Sequence, residues 1–146
     1  MATDENTLEA FRHMLGYSDE EFDEWKSVPR NLLLAENMEE FTKYRVVVEV
    51  LKSHGCIMGH QVGDKFYFSG NGALLCSEGP SHICAGALAP LMTFAWRVVD
   101  KIGSGLDPMK YAFNRVSCVD VGIENGGWGE ILMEVRVEKT EEEHHG

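Results

Sequence analysis

A chain of 146 residues, 44% hydrophobic and 25% charged, is the size of one domain and needs no covalent staples to hold a core. Its net charge of −11, with no basic stripe, argues against a nucleic-acid partner or an anionic membrane surface. No apolar run approaches the ~20 residues of a membrane span, and the opening Met-Ala-Thr-Asp-Glu-Asn lacks the features of a secretory signal, so a cytoplasmic protein is expected.

The first forty residues have a helical period. Leu8, Phe11 and Leu15 share a stripe, and Gly16 can end that helix in the left-handed conformation. Ser18 to Glu21 forms a capping-box pattern, followed by Phe22 and Trp25, and Pro29 is expected to stop the run. A third short helix is predicted from Asn31 to Phe41, with Leu34, Met38 and Phe41 on one side. Helices this short need a surface to pack on, either the body of the protein or a partner subunit.

At Tyr44 the period changes to two. Tyr44 to Leu51 reads as a strand with Tyr44, Val46, Val48 and Val50 on one face. A loop from Ser53 to Gly63 leads to a short strand at Phe66–Phe68, and Ala73–Cys76 is expected to pair with it across the turn Ser69–Gly72. A helix follows, beginning near Cys84 or Pro90 and ending at Ile102, with Leu91, Phe94, Ala95, Val98 and Ile102 buried. Pro90 either kinks it or occupies its first position. The last two strands are predicted at Phe113–Val121 and Glu130–Glu138, with Asn125-Gly126 as a hairpin signal between them. The expected class is therefore α+β, a small curved antiparallel sheet or partial barrel packed on one main helix. Residues 44–138 would form this core, residues 1–43 a helical N-terminal extension, and residues 139–146 an acidic tail that contains His144 and His145.

The segment Cys56-Ile-Met-Gly-His60-Gln-Val-Gly63-Asp64-Lys-Phe66 carries the most chemical information. A thiolate and an imidazole on one loop can hold a soft or borderline ion such as zinc or iron. They can also form a thiolate–imidazolium pair that arms the thiol as a nucleophile. Both uses need partners, and Cys76, Cys84 and Cys118 are the other thiols. Asp64 is a catalytic candidate or a β-turn residue bonded to its own backbone. Asp120, two residues beyond Cys118, could orient His60 or a ligand, or could be an edge-strand charge. His54 and His82 read as surface or capping groups. Phe66, Phe94, Trp96 and Trp128 are candidates for the walls of a small-molecule pocket. Plain burial competes with every one of these cysteine roles, because free cysteine packs as a small hydrophobe.

At these residues the chain resembles a family of small uncharacterised prokaryotic proteins. The pattern comprises Val47-Val-Glu-Val50, Cys56 with His60, Gly63, Asp64 and Phe66, Cys84 followed by Pro90, and Cys118 with Asp120. The likeness covers residues 44–138 well and the extension more loosely. It implies no activity, but it implies that Cys56, His60, Cys84 and Cys118 belong together and that Cys76 stands apart. A Cys3His set of this kind would suit one zinc or iron ion. The leading expectation is thus a metal-binding protein using Cys56, His60 and Cys118, with Cys84 as a fourth ligand or a nearby free thiol. The alternatives are a metal-free enzyme or ligand-binding domain built on Cys56 and His60, and an accessory subunit of a larger enzyme. A small-molecule ligand and a homo-oligomer are the other expected partners.

Overall fold

The computed structural model describes residues 4–140; the acidic residues 141–143 and the pair His144–His145 lie outside them. Three helices, α1 (Glu5–Leu15), α2 (Asp19–Lys26) and α3 (Pro29–Glu36), precede a 3-10 segment at Met38–Lys43. Gly16 ends α1 with φ 70°, and the Ser18–Glu21 capping box starts α2, both as the residues predict. Pro29 behaves otherwise. It opens α3, because proline at the first helical position gives up an amide that would have no partner there. Phe11 and Phe22 both stack on Trp25, with ring centroids 4.8 and 5.9 Å away, giving α1 and α2 a small aromatic core of their own. α3 joins this group to the body. Ala35 is buried, and Asn37 Nδ2 donates to the carbonyl of Gly103 at 3.2 Å.

The body is an open four-stranded antiparallel sheet in the order β2-β1-β4-β3. The strands are β1 (Tyr44–His54), β2 (Lys65–Ser69), β3 (Arg115–Ser117) and β4 (Glu130–Lys139), and the helix α4 (Ala85–Gly103) lies across one face. Alternation decides that face. Val46, Val48 and Val50 of β1, Phe66 and Phe68 of β2, and Ile131, Met133, Val135 and Val137 of β4 meet Leu91, Phe94, Ala95, Val98 and Ile102 of α4. The opposite face carries ion pairs instead, among them Arg136–Glu49 at 3.6 Å and Arg115–Glu134 at 2.9 Å. This is the two-layer α+β arrangement that the periodicities require.

Three predicted features differ in the structure. Ala73–Cys76 makes one bridge with β2, Phe68 to Leu74, rather than a strand. The strand predicted over Phe113–Val121 contracts to β3, and the Asn-Gly signal does not make a tight hairpin. Between β3 and β4 the chain forms a 3-10 turn at Ile123–Asn125. Asp120 explains this: its carboxylate accepts the amides of Gly122 (2.9 Å) and Trp128 (3.1 Å), drawing the chain into a loop before the ladder can close. Pro90, expected either within the helix or at its first position, lies inside α4, in its second turn. The carbonyl of Gly86, which residue 90 cannot reach with an amide, accepts the amide of Val119 at 3.0 Å instead. The carbonyl that the proline frees therefore becomes the point where the loop after β3 docks on the helix.

A bulge in β1 completes the scaffold. The β1–β4 register shifts between Val50 and Lys52, so that Ser53 rather than Lys52 stands opposite buried Ile131. Without the extra residue, Lys52 would face the core; with it, the hydroxyl of Ser53 turns inward and donates to the carbonyl of His60 at 2.6 Å.

Candidate functional site

His60 is the buried polar residue of the core region, 2% exposed. The turn that delivers it is tied to β1 on both sides of Val50. Gly63 donates to the carbonyl of Val50, and the amide of Val50 donates to the carbonyl of Asp64, each at 2.9 Å. The imidazole Nε2 accepts the amide of Cys84 at 3.0 Å, so the ring proton of the neutral form sits on Nδ1, which points toward Asp64 Oδ2 at 4.0 Å. The ring meets Phe66 edge-on and stacks on His82 at 5.2 Å. Burial, and then the neighbouring His82, push the His60 pKa below the ordinary imidazole value, while Asp64 opposes them. His60 is thus a neutral acceptor that fixes the start of α4.

Cys84 is the N-cap of that 19-residue helix, yet its side chain makes no capping bond, and the thiol is left for other use. Cys118 follows β3 directly. Its amide donates to the carbonyl of Ile131 at 3.1 Å, and its sulfur accepts the amide of Ile131 at 3.4 Å. The docking of Val119 on Gly86 brings this segment against the first turn of α4, where a Cβ on Gly86 would lie 3.0 Å from Val119 and 3.6 Å from Cys84 Sγ. Cys56 opens the loop that spans from the Trp128–Gly129 backbone, against which Gly55 is packed, to His82, whose Nε2 bonds the carbonyl of Met58 at 2.7 Å. Cys56, Cys84 and Cys118 are all half-buried and packed against the main core, whereas Cys76 is exposed and its thiol donates to the carbonyl of Leu74.

The remaining candidates have mostly backbone duties. Asp64 Oδ2 accepts the amide of Gln61 at 2.9 Å, closing the turn into β2. Asp120 accepts the two loop amides described above, which hold its carboxyl below the usual carboxylate range. A Cβ at Gly127 would collide with Asp120 Oδ1, so the glycine lets the loop wrap the carboxylate. His54 is exposed and opposite Glu130 on the sheet. His82, by contrast, is the neighbour of His60 that the sequence reading passed over. Its place two residues before Cys84 is the signal that could have joined the two.

The four aromatic candidates do not share a pocket. Phe66 and Phe94 are core residues that border separate cavities, Trp96 borders a third with Phe68 and Met92, and Trp128 is 69% exposed on the loop before β4. Ile57, Val62, Val119, Ile123 and Trp128, from the loops that carry or follow Cys56 and Cys118, are all exposed.

Among the described residues, no three His, Cys, Asp or Glu side chains converge in a way that would hold a metal ion. No helix among the described residues is long and apolar enough to cross a membrane. Comparison with protein-family models, with curated proteins and with solved structures finds no match.

Proposed function

We propose that the chain binds one soft or borderline ion, zinc or iron, through Cys56, Cys84 and Cys118. The observation that carries this reading is the segregation of the thiols. Three half-buried cysteines from three separate segments pack against the main core, two of them at or beside the start of α4, while the fourth lies exposed. The free amides of a long helix's first turn favour negative charge, which suits thiolate ligands. His60 is a positioning residue in this arrangement: through the Cys84 amide it sets where that thiol stands. It would become a fourth ligand only by exchanging the amide for the ion. Three thiolates would leave a coordination position where the ion could polarise a ligand or a water. Because the donors do not converge, binding requires the thiol rotamers to turn inward.

The test is metal analysis of protein purified without oxygen, with His144 and His145 replaced by glutamine to remove a competing site. About one equivalent of zinc or iron is expected, lost in Cys56→Ser and retained in Cys76→Ser. Metal-free wild-type protein would overturn the reading. The occupied Nε2 of His60 and the separated donors favour a second reading, a metal-free site at Cys56 and His60 that binds a small molecule. That reading gains if the protein is metal-free and Cys56 alone reacts rapidly with alkylating agents near neutral pH.

A further inference from the structure

Some three turns along α4 from the cysteines, about 15 Å at 1.5 Å per residue, a separate cavity opens between the helix and the segment from Pro108 to Phe113. Its volume is about 160 Å³, close to the ~150 Å³ of an engineered cavity known to take one benzene ring. Its walls are aromatic. Tyr111 meets Phe94 edge-on with centroids 5.7 Å apart, and Phe113, 80% exposed, stands at the mouth. Two cations line it as well, although the chain as a whole is strongly acidic. Lys101 is engaged, donating from Nζ to the carbonyl of Lys110. Arg97 is not: among the described residues it meets no carboxylate, and its guanidinium lies over the face of Phe94 at 4.9 Å. The Tyr111 hydroxyl is likewise without a hydrogen-bond partner among the described residues.

We propose that this cavity is a binding site for a small aryl carboxylate, its ring between Phe94, Tyr111 and Phe113 and its carboxylate on Arg97. The geometry separates the two halves of the ligand. The ring requirement comes from the size and walls of the cavity, and the charge requirement from a planar guanidinium that can grip a carboxylate with two parallel hydrogen bonds. The stacking of Arg97 on Phe94 holds that guanidinium at the rim without neutralising it. The sequence pointed to Phe94 alone; Arg97, Tyr111 and Phe113 join it only because residues 108–113 fold back on the helix.

Benzoate is the probe, with benzyl alcohol (ring without charge) and acetate (charge without ring) as controls, followed by calorimetry and by the ring resonances of Tyr111 and Phe113. One-to-one benzoate binding with a Kd of about 1 mM or tighter is expected for a ligand this small. Both controls should bind at least about tenfold more weakly, and Arg97→Gln, an exposed position, should weaken benzoate about tenfold while leaving benzyl alcohol unchanged. The proposal fails if benzoate does not saturate by about 10 mM, if Arg97→Gln binds it as tightly as wild type, or if acetate binds equally well. Cys84→Ser should leave benzoate binding intact, so this site and the thiol site stand or fall separately.

Discussion

At the scale of single residues, His60 is where burial and hydrogen bonding work together. Its neutral ring accepts the amide of Cys84, and protonation would remove the acceptor and place a charge in a buried position. The native pKa is depressed, so below the ordinary value of about 6.5 the unfolded chain binds the proton more readily than the native one. Its stabilising contribution is therefore complete above about pH 6.5 and is lost as pH falls from there through the native pKa. His60→Gln should cost about 1–3 kcal/mol at pH 7. It should also show a smaller fall in urea midpoint between about pH 7 and 5.5 than wild type. Equal falls in the two proteins would show that His60 is not protonated preferentially in the unfolded chain. The sequence marked His60 and Cys84 as companions without showing how they meet. That link is a backbone amide, which no side-chain pattern can display.

At the scale of elements, the decisive contact joins the loop after β3 to α4. Proline at position 90 strips one amide from the helix, and the carbonyl it frees holds Val119 and, through it, Cys118. Pro90→Ala would restore an amide that competes for Gly86. Amide exchange at Val119 should then rise about tenfold, the worth of one net hydrogen bond, even though the helix itself gains propensity and the thermal midpoint holds or rises. Unchanged exchange at Val119 would show that the freed carbonyl of Gly86 does not hold this loop. Pro90 was legible as a kink or a start, but the partner of its freed carbonyl lies 33 positions beyond Gly86 and gives no local signal. The same holds for the loop before β4. Asn-Gly promised a hairpin, and the carboxylate of Asp120 overrode it by capturing the Gly122 and Trp128 amides.

At the scale of the molecule, periodicity carried most of the fold. The inward rows of β1 and β4 and the apolar stripe of α4 follow from alternation and the helical period, and they make the two-layer arrangement almost unavoidable. Short elements were harder. β3 has three residues, and the bulge at Val50/Lys52 depends on pairing with β4. The site was legible as a set of residue types, while its geometry came from three long-range contacts made by backbone groups. These are Cys84 to His60, Val119 to Gly86, and the packing of Gly55 on Trp128. Cys56, Cys84 and Cys118 are the proposed ligand set, with Cys76 outside it. Anaerobic titration of the reduced protein with cobalt(II), with His144 and His145 replaced by glutamine, tests it most directly. Thiolate-to-cobalt absorption should saturate at about one equivalent, be lost in each of Cys56→Ser, Cys84→Ser and Cys118→Ser, and be unchanged in Cys76→Ser. Absence of that absorption, or an equal loss in Cys76→Ser, would contradict it.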